Sequence, residues 1–164
     1  MSIKLPKPFG EMLKKYQRVF MNNGEYEVTE AYFDNGYSLV NGIGSLRQLL
    51  GLSGNDTCAD GYIILKHKEG EKEEKIGILW EDKGSQGKGT HFSDGVKQLK
   101  STHIILKQKM ALPLRFHVVL SNIKLGKGFI EAKYVDEHQC RILKKPNNGE
   151  AILCGEYPIK VLDN

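Results

Sequence analysis

Apolar and polar positions along the 164-residue chain follow two different periods, and the period marks the elements. Over residues 9–21, Met12, Leu13, Tyr16, Val19 and Phe20 recur at helical spacing, which predicts an amphipathic helix stopped by Asn22-Asn23-Gly24. Residues 25–33 alternate loosely and are rich in Val, Thr and Tyr, the pattern of a strand. Asp34-Asn35-Gly36 reads as a tight turn, with residues 37–40 as the returning strand. Ser45 stands where an N-cap would open a short helix over 46–50, and 51–57 reads as a loop.

Two compact apolar runs follow, 62–65 (Tyr-Ile-Ile-Leu) and 76–80 (Ile-Gly-Ile-Leu-Trp), joined by a charged stretch containing glycine. They predict a hairpin with the charges in its turn. A basic, glycine-rich loop over 84–91 comes next. Ser93 can cap a helix from Asp94 to about Lys109, with Val96, Leu99, His103 and Leu106 toward a sheet. Residues 114–121 (LRFHVVLS) are the most strand-like run and predict a central strand, with His117 a hydrogen-bonded core residue. Strands are expected at 129–135, 139–143, 151–153 and 157–162 in the tail. These would form an extra sheet against the core or a substrate-gripping edge.

Composition narrows the class. With 40% hydrophobic and 27% charged residues, the chain reads as one soluble globular domain. A core over about 8–122 would carry a β-rich extension over about 123–164. The net charge is +4, but residues 84–110 hold five lysines against one acid, Asp94. A phosphate backbone would find that segment attractive, and Lys88, Lys97 and Lys100 are the candidate contacts. The cysteines, Cys58, Cys140 and Cys154, are odd in number and form no C-x-x-C, so neither zinc nor a disulfide framework is supported. Reduced thiols, no secretory leader and no membrane-crossing run predict a cytoplasmic protein without membrane contact.

The candidate chemistry sits at one end of the hairpin. Asp60 opens the first run, and the second ends in Glu81-Asp82-Lys83. Alternation puts Glu81 and Lys83 on one face, and the simplest register brings Asp60 beside Glu81. Two carboxylates with water and a phosphate suit Mg²⁺, and a neighbouring amine could orient the water. An acid-x-Lys triplet alone means little in so lysine-rich a chain. It occurs also at Glu73-Glu74-Lys75 and Glu131-Ala132-Lys133. Only the triplet at Glu81 has an acid-opened strand before it and a helix, then a strand, after it.

Asp60 followed by Glu81-x-Lys83 resembles the PD-(D/E)XK nuclease superfamily, with Ala59 where the family pattern often has Pro. The resemblance extends to Gln98 on the following helix and covers the middle third of the chain. It implies an α/β fold, a restriction-endonuclease-like αβββαβ core with a mixed central sheet flanked by helices. By the same resemblance Asp60 and Glu81 hold Mg²⁺, for which Mn²⁺ can substitute, and the backbone carbonyl of Asp82 is a third ligand. Lys83 positions the attacking water, Gln98 hydrogen-bonds Lys83 or that water, and Glu11 on the first helix supports the metal. The implied activity is metal-dependent cleavage of nucleic acid, DNA rather than RNA, and cutting a duplex would favour a homodimer. Two alternatives stay open: a nucleic-acid-binding protein that does not cut, and a small interaction domain whose charges are all surface.

Overall fold

A computed structural model of the chain describes residues 3–21, 23–34, 37, 42–82, 89–121, 140–144, 150–154 and 157–162. The helical pattern at the N-terminus yields two pieces. Helix α1, Lys7–Lys15, and α2, Gln17–Phe20, are separated at Tyr16, whose φ of −107° and ψ of 26° interrupt the run. Pro8 is accommodated in the first turn, where a helix has no use for the missing N–H. The break directs Phe20 and Met21 inward, and both are fully buried.

Strand β1, Glu25–Phe33, comes next. Residues 38–40, expected to return beside it, lie outside the described residues. Its neighbours are β2, Ile43–Ser45, which runs parallel to it, and β3, Gly61–Glu69, which runs antiparallel. Ser45 Oγ accepts the Gln48 N–H at 3.3 Å and caps α3, Leu46–Leu50, as the sequence predicts. Gly51 ends that helix in the left-handed region, at φ 68°.

Strands β3 and β4, Lys72–Asp82, form the expected hairpin, but it is longer than its apolar runs. Most of the charged stretch is strand, and only Gly70 and Glu71 turn, Gly70 at φ 63°. Cross-strand pairs explain why the charges extend the ladder. Glu73 lies 2.9 Å from Lys66 Nζ and 3.9 Å from Lys68 Nζ. Glu74 meets both His67 and Arg115.

Helix α4, Gly89–Lys109, begins earlier than expected, and Ser93 lies inside it. Serine is only mildly unfavourable in a helix interior, and a capping residue cannot by itself start one. Strand β5, Arg115–Ser121, is the predicted central strand and pairs parallel with β4. In the tail, β6 (Cys140–Lys144), β7 (Glu150–Cys154) and β8 (Tyr157–Leu162) match three of the expected strands. The fourth, 129–135, lies outside the described residues. The tail strands continue the central sheet, because β8 pairs parallel with β5. The strand order is β2-β1-β3-β4-β5-β8-β7-β6.

The result is an α/β fold with a mixed sheet flanked by helices. Side chains alternate between two cores. Tyr62, Ile64, Leu79, Phe116, Val118 and Leu120 pack with Val96, Leu99 and Leu106 of α4. Ile63, Leu65, Ile76, Ile78 and Trp80 pack on the other face with Phe9, Met12 and Leu13 of α1. His117 behaves as the sequence suggests, with Nε2 3.2 Å from the Phe20 carbonyl. Among the described residues no helix is long and apolar enough to cross a membrane.

Candidate functional site

The register decides what stands at the end of the sheet. Gly61 pairs with Trp80, so the next position outward sets Asp60 opposite Glu81. Directly opposed residues of an antiparallel pair share a face. For Glu81, by the alternation of β4, it is the face of Leu79, the one α4 covers.

At this position side chains replace the backbone ladder. Glu81 Oε1 accepts the Asp60 N–H at 3.1 Å, and Asp60 Oδ2 accepts the Asp82 N–H at 2.7 Å. The Asp60 carbonyl in turn accepts the Asp34 N–H at 2.8 Å, which ties in the end of β1. Glu81 is only 2% exposed. Asp82 lies on the opposite face. Its Oδ1 accepts from Ser121 Oγ at 2.9 Å, and Ser121 Oγ accepts from Trp80 Nε1 at 2.9 Å.

Two further clamps fix the entry to β3. Thr102 of α4 is fully buried. Its Oγ1 accepts the Ala59 N–H at 2.7 Å and donates to the Gln98 carbonyl at 2.7 Å. Arg47 of α3 grips Asp34 through Nε at 2.5 Å and Nη2 at 3.3 Å, and its Nη1 donates to the carbonyls of Ser53 and Asp56. A single guanidinium thus pins both ends of the segment that leads to Asp60. Cys58, inside this corner, is buried; burial, and then the charge of Asp34, push its thiol up to about 12 against the opposing pull of Arg47.

Tyr37 completes the cluster. Its ring packs on Phe9 at 5.1 Å and on Phe33 at 5.6 Å between centroids. Burial raises its hydroxyl well above the ordinary value, and the charges of Asp60, Asp82 and Glu81 raise it further. Among the described residues, Asp34, Asp60, Glu81 and Asp82 gather at this end of the sheet, with Arg47 paired to Asp34.

Of the residues singled out in the sequence, Asp60, Glu81 and Asp82 come together. Lys83 and Lys88 lie outside the described residues. Gln98 is half-buried on α4, one turn before Thr102. Lys97 is exposed and Lys100 half-buried on the same helix. Glu11 stands exposed on α1 with Lys7 Nζ at 3.9 Å, and it lines a groove with Leu13, Tyr26 and Val28. The triplet at Glu73 is committed to ion pairs along the hairpin, away from Asp60. Sequence reasoning missed Tyr37, Asp34, Ser121 and Thr102. Asp34 and Tyr37 sit in a segment that reads as a plain turn, and Thr102 falls on the helical stripe as an ordinary polar residue.

Among the described residues no group of three or more His, Cys, Asp or Glu converges as a ready ligand set. Mg²⁺ does not need one. It is commonly held by one or two carboxylates, with waters and substrate oxygens completing an octahedron. Asp60 and Glu81 offer hard oxygen donors at the same end of the sheet, the donor type such an ion takes. Comparison with protein-family models, with curated proteins and with solved structures gave no match.

Proposed function

We propose that this protein is a Mg²⁺-dependent phosphodiester hydrolase that cleaves nucleic acid, DNA rather than RNA. The observation that carries the reading is the pair Asp60 and Glu81 at the end of the sheet, where Glu81 accepts the Asp60 N–H and Asp60 accepts the Asp82 N–H. The order of elements supports it. Antiparallel β1, β3 and β4 are followed by α4 and by β5 parallel to β4, with helices on both faces. This order is compatible with the restriction-endonuclease-like core that the resemblance implies.

In this reading Asp60 and Glu81 hold the cation, and the carbonyl of Asp82 adds a third oxygen. The ion, when bound, polarises a phosphoryl oxygen and makes water a better nucleophile at neutral pH. The chain supplies the positioning. The Asp82 N–H holds the Asp60 carboxylate, and the Asp60 N–H holds that of Glu81. Lys83, next in sequence, orients the attacking water or stabilises charge developing on phosphorus. Lys97 and Lys100 on α4 contribute to backbone phosphate contact.

Supercoiled plasmid incubated with and without Mg²⁺ tests the reading, alongside Asp60→Asn and Glu81→Gln. Both substitutions keep volume and a hydrogen-bond acceptor. The parent is expected to nick or linearise DNA only with the ion, and each variant to lose cleavage and bind Mn²⁺ at least about tenfold more weakly by calorimetry. Unchanged affinity in both variants would overturn the metal assignment. DNA binding without any cleavage in the parent would replace the enzyme with a binding protein of the same fold.

A further inference from the structure

The N-terminal segment 1–24 carries five cations, Lys4, Lys7, Lys14, Lys15 and Arg18, against one acid, Glu11. The core fixes where they go. Phe9, Met12 and Leu13 of α1 are buried, as are Phe20 and Met21 after the break. The helical period therefore leaves Lys14, Lys15 and Arg18 to solvent, and all three are exposed. Glu11 pairs with Lys7, one turn earlier. The three exposed cations come together around a concave space of about 410 Å³, whose other described walls are Gln17, Asn23 and Gly24. Among the described residues that line it there is no acid.

The floor of this pocket is held from several sides. Gln17 Nε2 donates to the Gly24 carbonyl at 3.2 Å, and His67 Nε2 lies 2.8 Å from the Asn23 carbonyl oxygen. Gly24 has a φ of 117°, and a Cβ there would meet the Lys68 carbonyl oxygen at 2.2 Å, so only glycine lets this turn press against β3. Lys15 Nζ stands 5.2 Å from the centre of the Tyr16 ring, which restrains that ammonium at the pocket wall. Like charges gathered in one concavity repel one another and raise the local concentration of anions.

We propose that this pocket is a second contact for a nucleic-acid backbone, in which Lys14, Lys15 and Arg18 neutralise phosphates. The inference goes beyond the cation site and rests on the reading above only in taking nucleic acid as the partner. Asp60 precedes β3 and His67 lies near its far end, so roughly 20–25 Å of strand separates the pocket from the carboxylates. The pocket also belongs to the face that α1 covers, opposite α4 with Lys97 and Lys100. Its contribution is therefore to binding and not to the chemical step. A lipid surface fits less well. Attachment of that kind draws on apolar side chains that enter the bilayer, whereas Leu13 and Val28, which share the adjoining groove with Lys14, are buried.

Anisotropy of a labelled DNA duplex, titrated with the full chain in EDTA over a range of salt, tests the proposal. The parent is compared with a pocket variant, Lys14→Gln, Lys15→Gln, Arg18→Gln. A control removes three exposed charges elsewhere, Lys72→Gln, Lys107→Gln, Lys109→Gln. The pocket variant should bind about tenfold more weakly or worse and lose about two to three units of salt slope, the control less than about one. With Mg²⁺ present, the DNA concentration for half-maximal cleavage should rise while the saturated rate holds. An unchanged slope in the pocket variant would overturn the inference, as would equal losses in variant and control. A lower unfolding temperature with the slope intact would assign the cations to the end of α1 instead. Sedimentation with phosphatidylserine vesicles gives the other arm: binding lost in the pocket variant, with duplex binding unchanged, would hand the surface to a membrane. Loss of slope in the pocket variant without any cleavage by the parent would support the inference and end the nuclease reading. No duplex binding by the parent would overturn the inference.

Discussion

Single residues in this protein owe their chemistry to the corner in which they are buried. Cys58 shows this most directly. Burial raises its thiol from 9.0 to about 12, so the native thiolate is scarce at pH 8. In a Cys140→Ser, Cys154→Ser background, a disulfide reagent should react with native Cys58 on the order of 10³ times more slowly than with the unfolded chain. Stability carries the same sign. The folded state holds its proton more tightly, so stability from this group is intact below 9.0 and falls as pH rises from 9.0 toward about 12. Denaturation followed across that range checks it, and rapid labelling at pH 8 would mean the corner opens. None of this is legible in the sequence, where Cys58 is merely an odd cysteine before an acid.

At the scale of elements, the site depends on how α4 is joined to the start of β3. Thr102 makes that joint, with its hydroxyl between the Ala59 N–H and the Gln98 carbonyl. Thr102→Val keeps the shape and removes the acceptor, which leaves a buried amide unsatisfied. The expected loss is about 1–3 kcal/mol in urea denaturation. If the Ala59–Asp60 backbone is set by this bond, cation affinity should fall as well, and calorimetry on the same variant reads it. A stability change under a few tenths of a kcal/mol would mean that water replaces the hydroxyl. Gly61 reports the same crowding from β1, because a Cβ there would meet Phe33 Cε1 at 2.5 Å. The sequence placed Val96, Leu99 and Leu106 on the inner face of α4 correctly, since a helical period depends only on local geometry. It could not show that Thr102 belongs with them, because a buried hydroxyl is acceptable only where a partner is waiting in another element.

For the whole molecule, the question is which end of the sheet does the work. One end gathers Asp34, Asp60, Glu81 and Asp82. Toward the turn of the hairpin, Glu73 pairs with Lys66 and Lys68, and Glu74 with Arg115. Parallel comparison of Lys83→Ala and Lys75→Ala separates the two. The first should slow cleavage on the order of 10²–10³-fold with metal binding largely kept, as when one donor to a developing charge is removed. Lys75→Ala should be silent. Reversal of that result would move the chemistry to the hairpin turn. Replacing Lys97 and Lys100 together should weaken DNA binding and flatten its dependence on salt by up to about two units of slope.

The chain by itself determined the elements and most of their boundaries near the hairpin. The apolar runs at 62–65 and 76–80 marked the hairpin, and the ladder that sets Gly61 against Trp80 is the simplest register they allow. Ser45 as a cap and residues 114–121 as a central strand followed from equally local chemistry. Only the tertiary structure decided that the tail strands extend the central sheet, because β8 could pair anywhere an edge was open. It alone carried the strand through Lys72 to Lys75, where cross-strand ion pairs outweigh the turn-like composition. The same holds for Tyr37, whose ring is gripped by Phe9 of α1 and Phe33 of β1, from separate parts of the chain. Contacts of that kind join residues far apart in sequence, and no period or spacing along the chain records them.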